Sequence, residues 1–83
     1  LYVCKYIYNR NESFLNFHVD QGHLTFNILL NDTYDGGGVL FQDGLTIHAK
    51  PGDLLLHSSI NIHAALPIIS GIKYALVGMI FLH

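Results

Sequence analysis

Apolar residues occur along the chain in short runs, separated by glycine, asparagine, aspartate and proline at intervals of about ten residues. Such runs, rich in Val, Ile, Leu, Phe and Tyr, are typical of β-strands, and their regular spacing favours a sandwich or a barrel. No stretch has a sustained 3.6-residue apolar period with caps, so we predict little or no helix. The eight predicted strands, which pair into two sheets, are residues 2–8, 13–18, 24–30, 38–41, 45–49, 53–57, 61–66 and 73–81.

Turn-forming residues account for the ends of these runs. Asp43-Gly44, between Phe41 and Leu45, is the strongest signal for a two-residue hairpin. The glycine run at residues 36–38 predicts a turn that needs positive φ angles, which glycine adopts without strain. Further turns are predicted at Pro51-Gly52 and Ser70-Gly71.

One face of the run at residues 24–30 carries Thr25 and Asn27, whereas the other face is apolar. Inside a barrel, polar groups on the inward face are unusual for packing alone and are expected where the barrel holds a polar ligand. We therefore expect Thr25 and Asn27 to line such a ligand or to hydrogen-bond it.

Composition excludes several classes of protein. The chain has 83 residues, of which 51% are hydrophobic and 12% charged, so it can fill the core of one small domain. The net charge is -2 and the basic residues are scattered, which leaves no electrostatic footprint for nucleic acid. A single cysteine, Cys4, excludes an internal disulfide and is read as a small apolar strand residue.

The ends and the apolar runs of the chain indicate where the protein is located and whether the sequence is part of a longer one. No run is long enough to span a membrane and no secretory leader is visible. We therefore expect neither a membrane nor a secreted location, and the cytoplasm is slightly favoured. Because Leu1 directly precedes a predicted strand, we expect residues 1–83 to be one domain cut from a longer protein.

The segment His18-Val19-Asp20 places an imidazole and a carboxylate two residues apart at the end of a predicted strand. Residues i and i+2 of an extended segment project to the same side, so both can face one metal ion. A third ligand from another strand, His63, would complete a 2-His-1-carboxylate triad with open coordination positions. The alternative for this short motif is a surface turn. Whether His18-Val19-Asp20 indicates a metal site therefore depends on the rest of the chain.

Segments over nearly the whole chain resemble the 2-oxoglutarate-dependent dioxygenases, and within them the prolyl 4-hydroxylase and lysyl hydroxylase group. The resemblance implies a double-stranded β-helix, which is a jelly-roll, cupin-like barrel. It also implies an oxidoreductase that uses Fe(II), 2-oxoglutarate and O2, with ascorbate as reductant, to hydroxylate a prolyl or lysyl residue. The matching segments are Lys5-Tyr6, His18-Val19-Asp20, residues 24–31, residues 34–38, Pro51-Gly52-Asp53, residues 63–67 and residues 71–77.

The same resemblance implies roles for individual residues. The iron ligands fall on His18, Asp20 and His63. Lys73 falls on the family's basic residue that binds the far carboxylate of 2-oxoglutarate, and such pairing lowers the cost of burying an ammonium. The alternative for Lys73 is a solubility charge on an edge strand. His57 competes with His63, but only His63 stands at the family's interval from Lys73, so His57 is read as a neutral, hydrogen-bonded neighbour.

On the strand before the first histidine, the family often has a tyrosine that orients 2-oxoglutarate. Tyr6 and Tyr8 both fit this position, and core packing is the alternative role for each. Thr25 is the third predicted contact of the cosubstrate. His23, His48 and His83 are read as loop or surface residues.

Two rival functions remain: an inactive β-barrel binding module of the same fold, and a cupin-like metalloenzyme that does not use 2-oxoglutarate. The spacing of Lys73 from His63 argues against the second. The expected partners are a protein or peptide substrate and the rest of the parent chain. That chain would cover an apolar sheet face, because the family's N-terminal supporting helices are absent from this sequence.

Overall fold

The computed structural model describes residues 1–7 and 14–82, which form β-strands and no helix. The lack of helix in this part of the chain agrees with the periodicity, and none of its elements is a helix that could cross a membrane. The strands are Tyr2–Ile7 (β1), Leu15–His18 (β2), Leu24–Leu29 (β3), Tyr34–Gly36 (β4), Val39–Phe41 (β5), Thr46–Ile47 (β6), Leu54–Ser58 (β7), His63–Ala65 (β8) and Ile68–Ile80 (β9).

The strands form two antiparallel sheets. The first sheet has the order β1-β9-β3-β7, with β4 paired to the beginning of β9. The second sheet has the order β2-β8-β5-β6. The chain crosses repeatedly from one sheet to the other, which is the winding of a jelly-roll. The prediction of an all-β, double-stranded β-helix is therefore confirmed.

Two local predictions were wrong. Ser70-Gly71 does not end a strand, because β9 runs through it, and Tyr34–Gly36 forms a strand that was not among the eight predicted. Gly71 has a φ of 80° and lies opposite Tyr34 in the ladder between β4 and β9. A bend at this glycine lets one long strand pair first with β4 and then with β1 and β3. The described residues thus contain nine strands instead of eight.

The predicted hairpin at Asp43-Gly44 exists, but its loop is one residue longer than predicted. The N–H of Phe41 donates to the carbonyl of Leu45 at 2.8 Å, which leaves Gln42, Asp43 and Gly44 in the loop. Gly44 has a φ of 97°, and Asp43 Oδ1 accepts a hydrogen bond from the Leu45 N–H. A turn followed by a glycine of positive φ is the usual form of a three-residue hairpin loop.

The two faces of the first sheet differ in burial. Thr25, Lys73 and Val77 lie on the face that looks toward the second sheet, and each is at most 6% exposed. Val3 and Leu56 lie on the opposite face, where each is more than half exposed. The inner face is therefore semi-polar, as predicted from the run at residues 24–30, and the outer face is apolar and open.

Candidate active site

Strand ends bring the three predicted metal ligands together. His18 is the last residue of β2, and His63 is the first residue of β8, directly opposite it in the ladder. Asp20 follows two residues after His18, and its N–H donates to the carbonyl of Ser59 at 2.9 Å. This bond ties the segment after β2 to the loop before β8, so all three side chains lie at one end of the barrel.

The donor atoms of this cluster converge. His18 Nε2 lies 3.4 Å from Asp20 Oδ1, and His63 Nε2 lies 3.2 Å from Asp20 Oδ2. All three ligand atoms lie within 4.8 Å of one another, and this is the group of residues in the described chain that could hold a metal ion. Bonds of about 2.0 to 2.2 Å from each ligand to a central divalent ion are compatible with this spacing.

Backbone carbonyls orient both imidazoles. Nδ1 of His18 donates to the carbonyl of Asn16 at 2.7 Å, and Nδ1 of His63 donates to the carbonyl of Asn61 at 2.8 Å. A carbonyl only accepts, so Nδ1 carries a proton in both rings, and in the neutral form Nε2 has a lone pair available to a metal ion. Sequence reasoning missed these partners, because any residue type can supply a backbone carbonyl.

The electrostatics of the cluster fit a bound cation. The Asp20 side chain is only 6% exposed, and its Oδ2 has no hydrogen-bond donor among the described residues. Burial is the main cause that lowers the pKa of His63, although the Asp20 carboxylate acts in the opposite direction. An imidazole with a lowered pKa and an unpaired carboxylate oxygen therefore lie close together in a buried site, where a divalent ion would satisfy both.

Lys73 occupies the inner face of β9 and is only 6% exposed. Burial is the main cause that lowers its pKa below the ordinary value of lysine. Among residues 1–7 and 14–82, the ion pairs both involve Asp20, so Lys73 has no anionic partner there. A buried ammonium without a counter-charge is costly, so an anion bound beside it would stabilise it.

Tyr6 is the neighbour of Lys73 across the ladder between β1 and β9. The Lys73 ammonium lies 5.0 Å from the centre of the Tyr6 ring, within the range of a cation–π contact. Burial, followed by the influence of Cys4, raises the pKa of the Tyr6 phenol well above its ordinary value, so the hydroxyl stays protonated. Tyr8 lies outside the described residues, and the choice between the two tyrosines stays a prediction.

One cavity joins these groups. Its wall contains all three residues of the His18, Asp20 and His63 cluster together with Tyr6 and Lys73. Small or apolar side chains complete the wall, and Asn27 from the semi-polar face contributes an amide. The cavity therefore has a group of potential metal ligands at one place and a buried ammonium at another. The remaining lining residues are Tyr2, Cys4, Leu15, Val39, Ala64, Ala65, Ala75 and Val77.

Thr25 is completely buried, and its hydroxyl lies 2.8 Å from the Ser59 hydroxyl. It does not belong to the wall of the cavity that contains Lys73. Its predicted contact with a cosubstrate stays a prediction, and in the structure the hydroxyl is already engaged. The Ser59 partner could not be found from the sequence, because it lies 34 residues away on another segment.

His57 lies beside the cluster but is not one of its members. The centre of its ring is 4.5 Å from that of His63, and its Nδ1 donates to the carbonyl of Ser58 at 2.9 Å. The position predicted for the third ligand is thus filled by His63. His23 and His48 are exposed, as predicted, whereas His83 lies outside the described residues.

Comparison with known proteins bears on the fold. No family model matches the chain, and no curated protein matches it. A solved structure that it resembles is an oxidoreductase of the 2OG-Fe(II) oxygenase family from Burkholderia pseudomallei. The TM-score is 0.78 at 17% sequence identity, and the match covers 90% of this chain but 38% of that protein. At this identity the likeness shows the shared fold, and this chain spans well under half of that protein's length.

Proposed function

We propose that the chain is the catalytic core of an Fe(II)- and 2-oxoglutarate-dependent dioxygenase that hydroxylates a substrate C–H bond. The observation that carries the proposal is the cavity in which a His-Asp-His cluster and an unpaired buried lysine share one wall. A metal-binding cluster alone, or a buried lysine alone, would fit many kinds of protein. Together they provide a site for a divalent ion and a separate site for a carboxylate, which is what a metal-chelating dicarboxylic acid requires.

Different residues of this chain would bind the metal ion and the cosubstrate. His18, Asp20 and His63 would hold Fe(II) beside the cavity. Lys73 would pair with the far carboxylate of 2-oxoglutarate, and the Tyr6 ring, whose centre lies 5.0 Å from the ammonium, would help to position it. When bound, the iron supplies the oxidising chemistry in which 2-oxoglutarate and O2 yield succinate, CO2 and a hydroxylated substrate.

A donor set of two imidazoles and one carboxylate suits Fe(II) but also occurs in catalytic zinc sites, so the proposal of iron rests on the neighbouring Lys73 and on the sequence resemblance. Sites that hold zinc structurally use four ligands and often thiolates, whereas Cys4 is not part of this cluster. The unpaired Lys73 favours an enzyme that uses 2-oxoglutarate over a cupin-like metalloenzyme without it. An inactive binding module would not need both the ligand set and the buried cation, and the assay below distinguishes it from an enzyme.

We propose a prolyl or lysyl residue of a protein or peptide as the substrate, with ascorbate as the reductant, on the basis of the sequence resemblance. The apolar outer face of the first sheet, with Val3, Leu54 and Leu56 each more than half exposed, is proposed to pack against the rest of the parent chain.

The decisive experiment is an assay of succinate formation by the full-length protein. Fe(II), 2-oxoglutarate and ascorbate are supplied together with a panel of proline- and lysine-containing peptides, and hydroxylated products are identified by mass spectrometry. Peptide-stimulated succinate formation with a mass increase of one oxygen supports the proposal. Metal binding without any turnover of 2-oxoglutarate would favour the cupin-like alternative, and absence of metal binding would favour an inactive module.

A further inference from the structure

Two buried polar atoms, on residues that both neighbour His63, lack a hydrogen-bond partner. Among the described residues, the buried side-chain nitrogens and oxygens that lack a partner are Asp20 Oδ2 and His57 Nε2. Asp20 Oδ2 lies 3.2 Å from His63 Nε2, and the His57 ring centre lies 4.5 Å from that of His63. A bound metal ion would account for the first of these atoms but does not touch the second.

The hydrogen bond of His57 determines which of its nitrogens is unpaired. Its Nδ1 carries a proton, because it faces the carbonyl of Ser58, so in the neutral ring Nε2 has a buried lone pair. The rings around it offer no donor. Phe41, packed edge-on at 5.3 Å, has no polar hydrogen, and the Nδ1–H of His63 is already donated to Asn61.

Burial of an acceptor without a donor destabilises a fold, whereas an apolar ring of the same shape would fill the space without that loss. His57 is only 8% exposed and its Nε2 is itself buried, so bulk solvent does not reach this atom. A phenylalanine at this position would therefore suit the metal-free fold better than histidine does.

We infer that His57 is a positioning residue for the metal ligand His63, whose lone pair stabilises the positive charge that a bound divalent ion places on the His63 imidazole. The inference rests on the metal site of the proposed function but not on 2-oxoglutarate. A cation at Nε2 withdraws electron density from the His63 ring and makes its edge more positive. A buried lone pair on a ring whose centre lies 4.5 Å from that of His63 interacts favourably with this charge. The edge-to-face packing at 66° also holds the His63 ring in its orientation.

The test compares His57→Phe with the wild-type full-length protein in two measurements. In the metal-free protein, the variant is expected to raise the thermal midpoint by a few degrees, since the unpaired acceptor is gone. In a titration with Co(II) as the probe, without 2-oxoglutarate, the variant is expected to bind about tenfold more weakly. Changes of opposite sign in stability and metal affinity are not what a side chain with a packing role alone would cause.

A matched control removes a different imidazole. His48 is exposed and takes no part in the metal cluster, so His48→Phe is expected to bind Co(II) within about twofold of the wild type. This control excludes an effect of losing any histidine that could bind cobalt weakly at the surface.

Two results overturn the inference. One is a Co(II) affinity of His57→Phe within twofold of the wild type. The other is a loss of Co(II) binding free energy that is matched by an equal loss in the free energy of unfolding of the metal-free protein. If His57→Phe does not fold, His57→Gln decides, because its amide oxygen can supply a lone pair. A folded His57→Gln should keep the affinity within about threefold, and a tenfold loss contradicts the inference. Absence of Co(II) binding by the wild type would instead overturn the proposed metal site itself.

Discussion

The Lys73 ammonium lies 5.0 Å from the centre of the Tyr6 ring, and the two residues face each other across β9 and β1. This contact gives the buried cation an aromatic neighbour but no counter-charge. The same pairing of lysine and tyrosine occurs on the outer face of the sheet, where the Lys5 ammonium lies 5.8 Å from the centre of the Tyr74 ring. The two pairs differ in burial, because Lys5 is exposed and Lys73 is not.

Replacement of Lys73 by alanine should weaken the binding of 2-oxoglutarate by roughly 3 to 5 kcal/mol, or about two to four decades in affinity. The far carboxylate of 2-oxoglutarate would then be buried without a partner. Lys73→Arg should be milder, since the charge is kept in a bulkier planar group. The measurement is succinate formation against 2-oxoglutarate concentration. Lys5→Ala is the matched control and should leave the curve in place. A shift of less than about threefold in Lys73→Ala, under 1 kcal/mol, would make Lys73 an ordinary strand residue.

Loss of a metal ligand should abolish turnover. Asp20→Ala and His18→Ala each leave two ligands, which seldom hold a labile divalent ion in a working geometry. Metal content after dialysis and the rate of succinate formation are measured for each variant. Asp32→Ala removes an exposed carboxylate outside the cluster and serves as the control. Full activity in Asp20→Ala would rule out the proposed mechanism.

Acid should destabilise the metal-free protein through His63. Because burial lowers the pKa of His63 in the folded state, the unfolded state binds its proton more readily as the pH falls below about 6.5. The free energy of unfolding should therefore be highest above this pH and should fall toward the lowered pKa. Urea unfolding in a chelator at several pH values measures the slope. His63→Gln should reduce it, and an unchanged slope in that variant would contradict the assignment.

Gly71→Ala should destabilise the fold more than a substitution at another glycine of positive φ. Gly71 has a φ of 80°, and an added Cβ would overlap the backbone carbonyl oxygen of Thr33. Gly52 has a φ of 87°, but an added Cβ would meet nothing within 4 Å. We expect a loss of about 1 kcal/mol for Gly52→Ala and about 1 to 3 kcal/mol more for Gly71→Ala. Urea unfolding of both variants measures the difference, and equal losses would show that the close approach to Thr33 is unimportant.

Local chemistry in the sequence was enough to predict the class of fold. Alternation at residues 24–30 correctly assigned the faces of β3, since neighbouring side chains of an extended strand point to opposite sides. Asp43-Gly44 predicted a hairpin for the same kind of reason, because its conformational preferences are local. The metal-ligand cluster was predictable in part. His18 and Asp20 are two residues apart in an extended segment, so their side chains point to the same side wherever that segment lies in the fold.

Tertiary structure decided what depends on distant partners. Ser70-Gly71 has the composition of a turn, but pairing with Tyr34 and Asp35 keeps it in a strand. Thr25 has the polarity of a ligand contact, and only the packing of distant segments brings Ser59 to its hydroxyl. His57 and His63 are both histidines near apolar strands, and the ladder between β2 and β8 is what places His63 opposite His18. Strand pairing joins residues far apart in sequence, so no local pattern specifies which partner a side chain will meet.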